Sequence, residues 1–272
     1  MFDNDNIVYK NINGVEIIQF KKLLEYQDVI THAYCIGKDR NFRTGRNNGN
    51  ITDEEYKKAV NDYNSLCNAL NLKYNDIVKT KQSHTDSSKL VEFKKTDGPD
   101  FETFKETDGL ITNKKNLILS TTNADCILIL LFDPVKKVIA NVHSGWKGTL
   151  QRISTKTVEK MKKEYGCEEK NIIACMCPSI RKCHFEVGDD IYESFYNEFG
   201  DINKQEGIFE RINGKWHIDT ILINRLILKK EGLIDENIID SGLCSVCQKD
   251  YMHSFRVEKE NYKLNTAIIS LK

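Results

Sequence analysis

The sequence predicts an α+β fold, a single domain with a mixed sheet running over residues 1–272. Two observations predict it. Short apolar runs with strand periodicity alternate with segments of helical periodicity, and several of the strands are joined by hairpins rather than by crossover helices. With only three prolines, and no glycine- or serine-rich linker, internal repeat or low-complexity tract, there is no composition break at which to divide the chain.

The elements follow in order. Val15 to Phe20 reads as an early strand. Thr52, with Glu55 three residues on, forms a capping box, and the helix it opens presents Tyr56, Val60, Tyr63, Cys67 and Leu70 on one face. Ile77 to Lys81 is a strand that leads into "KQSHTD". Leu117 to Thr122 and Ile127 to Phe132 are strands, and Asp133-Pro134 turns the chain into a third, Val138 to Val142. A glycine-flanked turn then gives way to a helix with Leu150, Ile153, Thr157 and Met161 at three- and four-residue spacing. Ile172 to Met176 is a short strand ending in a cysteine-rich loop, and Asp189 to Phe199 is helical. Ile208 to Ile218 is a hairpin about Asn213-Gly214, a pair that accepts the positive φ of a type I′ turn. Asp219 caps a helix that stops at Gly232, and Thr266 to Leu271 is the last strand.

Composition excludes several function classes. Forty basic and forty acidic residues cancel, so nothing points to a nucleic-acid polyanion or an acidic membrane surface. The apolar run Ile127–Phe132 is far too short to span a bilayer. The opening MFDNDNIVYKN lacks the basic and apolar regions of a signal peptide, which leads to the expectation of a cytoplasmic protein. Nine cysteines without an export signal then read as thiols, ligands or nucleophiles rather than as a disulfide framework.

Three residues stand out for chemistry. His84, Cys126 and His143 each lie at or just beyond the end of a predicted strand, where side chains distant in sequence converge. Two imidazoles and one thiolate suit a three-ligand zinc site with an open fourth position. The same residues also suit a metal-free cysteine hydrolase or amidase, with Cys126 as nucleophile and His84 or His143 as base. A third reading is plain core packing, with Cys126 a small buried hydrophobe. In "HSGWKGTL", Gly145 and Gly148 bracket Trp146-Lys147 at a helix start, so Gly145, Lys147 and Gly148 are candidates for holding an anion such as phosphate. Two thiol-rich loops, with Cys175, Cys177, Cys183 and His184 in one and Cys244, Cys247 and His253 in the other, suit either packing or a structural zinc in a non-enzymatic module. Asp108 and Asp125 lie near the candidate ligands, but nothing in the sequence orients either as a general acid.

Taken together, "ADC", an apolar strand, "DP", a second strand and "HSGWKG" resemble the signature of the laccase-domain family. That family was first described as multicopper polyphenol oxidases and is now read as purine nucleoside phosphorylases. The resemblance extends to "QSH", "TDGLIT", "PSIRKCHFEVGDDI" and "CSVCQKDYMHSFRVEKENYKLNTAIISL", covering the chain from about residue 40 to the end. It implies that His84, Cys126 and His143 are zinc ligands. It further implies a single-domain layered α/β sandwich, phosphorolysis of adenosine, inosine and methylthioadenosine, deamination of adenosine, and purine nucleoside and phosphate as partners. Copper, which the oxidase label suggests, is disfavoured: six histidines cannot furnish a full laccase copper set. The chain departs from the family pattern at Lys147 (often arginine), Ser83 (valine) and His184 (cysteine).

Overall fold

The hairpin predicted around Asp133 lies at the centre of the molecule. In the computed structural model, which describes residues 2–45, 51–94 and 96–272, Ile127–Asp133 and Val138–Ser144 pair antiparallel. The Asp133 carboxylate closes the turn by accepting the backbone N–H of Val135 and Lys136. The two strands occupy the middle of a six-stranded sheet ordered Ile238–Asp240, Ile173–Met176, Ile127–Asp133, Val138–Ser144, Gly109–Thr112 and Ser88–Leu90.

A second, seven-stranded sheet runs Ile7–Ile12, Val15–Phe20, Ile30–Ile36, Asn265–Leu271, Ile118–Asn123, Ile77–Lys81 and Asp100–Lys105. It is mixed: Ile77–Lys81 lies parallel to both its neighbours, while the other pairings are antiparallel.

Burial on both faces explains why the central strands read as continuous apolar runs rather than alternating ones. Leu128, Leu130 and Phe132 meet Tyr34, Leu119 and Ile269 of the other sheet in the core between the two. Ile127, Ile129 and Leu131 point the opposite way, onto helix Ile153–Tyr165 and helix Thr220–Glu231. The outer face of the seven-stranded sheet packs Ile17, Ala33 and Ile118 against Tyr63, Leu66 and Cys67 of helix Asp53–Ala69. The result is a layered α/β sandwich with mixed sheets, as the family resemblance implies. Buried Asn141 ties the two sheets together, donating to the carbonyls of Leu119 and Ala267. A small three-stranded sheet, Glu186–Val187, Lys215–Ile218 and Phe209–Ile212, packs with helix Asp189–Glu206 to one side.

The capping box at Thr52, the Asp219 cap and the left-handed stop at Gly232 all form. The hairpin turn at Asn213-Gly214 takes positive φ at both residues. Other expectations need correction. The helix after the glycine turn is broken into Trp146–Leu150 and Ile153–Tyr165, because Arg152 takes φ of 61° and turns the axis. Strands Ile7–Ile12, Ile30–Ile36 and Gly109–Thr112 also form without having been predicted. Among the described residues, no helix is long and apolar enough to cross a membrane.

Candidate metal centre and active-site cavity

Register places the first two functional side chains. Leu128 pairs with His143 and Ile127 with Ser144, so Cys126 and Gly145 emerge side by side where the central hairpin opens. His84 comes from the seven-stranded sheet, on the loop after Ile77–Lys81. That loop is anchored by Gln82, which donates to the Thr122 carbonyl and accepts the Thr122 N–H. The ligand atoms of His84, Cys126 and His143 all lie within 4.8 Å of one another, with Cys126 Sγ 3.9 Å from His84 Nε2. An S···N separation of about 3.5 Å is what two ligands of one tetrahedral zinc require, so a small inward movement suffices.

Buried Asp108 organises the group. Its Oδ1 accepts His143 Nδ1–H at 2.8 Å and the His84 N–H at 3.1 Å. Its Oδ2 accepts the N–H of Ser83 and Thr85 and the Thr85 hydroxyl. The proton is thereby held on Nδ1 of His143, leaving Nε2 as the ligating atom, which is the arrangement second-layer carboxylates impose on metal-binding histidines.

The charges reinforce one another. Burial disfavours the Cys126 thiolate, but the imidazolium of His143 and hydrogen bonds from both histidines outweigh burial and draw the thiol down to about 6. Burial likewise disfavours charge on His143, yet the Cys126 thiolate and then Asp108 raise it to about 9. Burial also opposes the Asp108 carboxylate, but the bond from His143 leads the interactions that hold it below the usual carboxylate range. Both residues flanking the site are backbone outliers, His84 at φ 61° and Asp125 at φ 95°. Such conformations persist only where neighbours enforce them. For Asp125 the neighbours are Ser245, whose hydroxyl donates to its carboxylate at 2.6 Å, and Arg256, whose N–H donates at 2.7 Å. Both carboxylates are thus engaged as acceptors, Asp108 by five hydrogen bonds and Asp125 by these two.

The turn glycines separate by role. A Cβ on Gly145 would lie 2.7 Å from His84 Cδ2 and 3.2 Å from Cys126 Sγ, so Gly145 is where the backbone must approach the cluster. Gly148 is buried against Ile153 and the Thr85 carbonyl, a packing position. Lys147 is exposed, its ammonium 5.4 Å over the Trp146 ring, and it does not line the cavity. The structure thus brings His84, Cys126, His143 and Gly145 together, and leaves Lys147 and Gly148 apart from them.

His84, Cys126 and His143 lie in the wall of a cavity of about 570 Å³. Trp146, Phe185, Phe255 and Tyr262 supply its aromatic surface, and Arg43 and Lys81 supply cations that sequence reasoning missed. The Arg43 guanidinium stacks 4.2 Å over the Tyr262 ring, and its buried Nη2 has no hydrogen-bond partner among the described residues. No local motif marks Arg43, because it reaches the cavity from a segment more than eighty residues before Cys126.

With this geometry in view, comparison with known proteins is informative. A family model described as multi-copper polyphenol oxidoreductase laccase matches residues 37–272. The chain belongs to this family. A relative named adenosine deaminase RL5, from an unknown prokaryotic organism, is 29% identical over 245 residues, covering 89% of this chain and 93% of the relative. A purine nucleoside phosphorylase of Clostridium acetobutylicum is 31% identical over 249 residues, covering 90% and 93%. The crystal structure of the Bacillus licheniformis hypothetical protein YfiH superimposes with a TM-score of 0.82 at 23% identity, covering 94% of this chain and 96% of that one, which establishes the shared fold.

Proposed function

We propose that this member of the laccase family is a zinc-dependent purine nucleoside phosphorylase acting on adenosine, inosine and methylthioadenosine, with adenosine deaminase activity. The observation that carries the reading is the His84–Cys126–His143 group in the wall of a cavity with aromatic walls and four cationic side chains, Arg43, Lys79, Lys81 and Arg256. The aromatic residues suit a purine ring, and Arg43 and Lys81 suit a phosphate. Relatives named as purine nucleoside phosphorylases and as an adenosine deaminase point to the same substrates.

Zinc held by the two histidines and the cysteine would supply Lewis acidity at an open coordination position. The protein's own residues do the rest. Asp108 fixes the tautomer and orientation of His143, and Gly145 lets the backbone pass close to His84. In phosphorolysis a phosphate oxygen forms a bond to the anomeric carbon, and the bond to the purine nitrogen breaks. The departing base keeps that electron pair and takes up a proton. Arg43 and Lys81 hold the anion for this displacement. Two imidazoles, one thiolate and an open fourth position form a donor set that suits zinc.

A second reading has a specific observation behind it. A Cys126 thiol drawn down to about 6 beside His143 raised to about 9 is also the pattern of a cysteine nucleophile with its base. One experiment separates the two: chromatographic assay of nucleosides with and without phosphate, before and after chelation. Phosphate-dependent release of free base that stops on zinc removal and returns with zinc supports the phosphorylase. Chelator-insensitive hydrolysis of an amide or ester, abolished in Cys126→Ser, overturns it.

A further inference from the structure

The fold gathers a second set of soft ligands outside the cavity. Of the seven thiol and imidazole residues in the two cysteine-rich loops, Cys175 and Cys177 are buried in the core between the sheets. His253 is occupied by Glu258 and by the Arg40 carbonyl. The remaining four, Cys183, His184, Cys244 and Cys247, converge with their ligand atoms all within 4.8 Å of one another.

The spacing is that of one small ion. Zinc–sulfur bonds of about 2.3 Å and zinc–nitrogen bonds of about 2.0–2.1 Å, set at tetrahedral angles, require S···S of about 3.8 Å and S···N of about 3.5 Å. Cys183 Sγ lies 3.9 Å from Cys247 Sγ. Nδ1 of His184 lies 3.1, 3.7 and 3.6 Å from the sulfurs of Cys183, Cys244 and Cys247. Four of the six ligand–ligand edges are therefore near those of one tetrahedron, and the other two, from Cys244 Sγ to the sulfurs of Cys183 and Cys247, are within 4.8 Å. A disulfide would use two of the three sulfurs and leave the third, with the imidazole aimed at all of them, without a purpose.

We propose that Cys183, His184, Cys244 and Cys247 form a second metal site, a closed Cys3His zinc centre that clasps two loops behind the wall of the cavity. Four protein ligands fill a tetrahedral zinc, which makes the site structural rather than catalytic. Its ligands are about 60 residues apart in sequence, and the direct backbone link between their loops is a short bridge at Ser179 and Cys244, extended by Ser245 N–H to the Ser179 carbonyl. The loop that carries His184 continues into Phe185, Glu186 and Val187, which line the cavity. Arg256 braces the same loop, donating to the carbonyls of His184 and Glu186. The adjoining Ser245 reaches Asp125, the residue before Cys126. The metal thus holds in place the segment on which the shape of the cavity wall depends.

Zinc content of the full chain tests this, measured per chain by elemental analysis on protein purified under reducing conditions. Two zinc ions are expected in the wild type, one in Cys126→Ala, and one in the Cys183→Ser/Cys247→Ser double variant. Cobalt(II) added to metal-depleted Cys126→Ala should bind one equivalent and give an intense thiolate-to-cobalt charge-transfer band with tetrahedral d–d bands. That readout needs no activity, and it stands even if the double variant fails to fold. Cys126→Ala without zinc and without the cobalt band overturns the second site while leaving the cavity centre intact. A Cys183–Cys247 disulfide found by mass mapping also overturns it. Equal zinc in wild type and Cys126→Ala instead removes the cavity centre and leaves the second site standing.

Discussion

Replacing Asp108 with asparagine keeps the shape of the side chain and removes one acceptor, so its consequences can be worked out from the hydrogen bonds. The carboxylate accepts five of them: His143 Nδ1–H and the His84 N–H at Oδ1, and the N–H of Ser83, the N–H of Thr85 and the Thr85 hydroxyl at Oδ2. An amide has one oxygen. If it faces His143, the new NH2 meets the N–H groups of exposed Ser83 and half-buried Thr85 head-on, and each orphaned donor costs at most about 1–3 kcal/mol, the cost of a fully buried one. The Thr85 hydroxyl escapes by rotating to accept. If the amide turns the other way, its NH2 faces Nδ1 of His143 and drives the ring proton to Nε2, the atom needed for the metal. Either arrangement harms the site, by different routes. Loss of an orienting partner to a metal-bound histidine typically lowers metal affinity 10- to 100-fold, about 1.4–2.7 kcal/mol. Competition against a chromophoric chelator measures this directly, and urea unfolding of chelator-treated protein separates the structural part. The second arrangement keeps the bonds from Ser83 and Thr85 and orphans only the His84 N–H, so the expected result for Asp108→Asn is zinc binding weakened by at least about tenfold, with the metal-free protein destabilised by about 1–3 kcal/mol. Zinc affinity within about twofold of wild type, together with reduced stability, would refute the argument that Asp108 orients His143 rather than merely filling a buried space.

Three further outcomes follow from the same geometry. In metal-depleted protein the Cys126 thiol, held at about 6, should be alkylated by iodoacetamide at a rate that rises as pH climbs through about 6 and levels off by neutrality, with zinc protecting it; a rise centred near the ordinary thiol range, about 8.5, would contradict the His143–Cys126 coupling. Gly145→Ala places a methyl 2.7 Å from His84 Cδ2, so it should displace that ring and weaken zinc at least about tenfold without comparable loss of stability in the metal-free state, as read by the same chelator competition and urea unfolding. Arg43→Ala should raise the half-saturating phosphate concentration about tenfold or more, in keeping with a charged hydrogen bond worth about 1.5–3 kcal/mol, whereas Lys147→Ala should change it less than about twofold; steady-state phosphate titrations distinguish them, and the reverse order would return the anion to the glycine turn.

Local chemistry was legible in the sequence wherever a few neighbouring residues decide the conformation. The capping box at Thr52 and Glu55, the Asn213-Gly214 turn and the Asp219-to-Gly232 helix are set by hydrogen bonds and φ preferences within short stretches, and each forms as read. The apolar runs of the central hairpin likewise announced its two strands, while their burial on both faces became visible only in the folded sheets. The residue types His84, Cys126 and His143 were visible too, but their spacing alone favoured packing over a nucleophile or a metal, and the family resemblance was needed to reverse that order. The tertiary structure brought them together. Register places Cys126 beside Gly145, the other sheet delivers His84, and Asp108, in the bend just before a strand the sequence did not announce, orients His143. It also placed Arg43 and Lys81, but not Lys147, in the lining of the cavity, and it brought together four of the seven soft ligands in the cysteine-rich loops. The physical reason is common to these cases. Backbone preferences act over a few residues and are written in local spacing, whereas the convergence of side chains is set by how two sheets pack, through contacts between residues tens to hundreds of positions apart that no local pattern encodes.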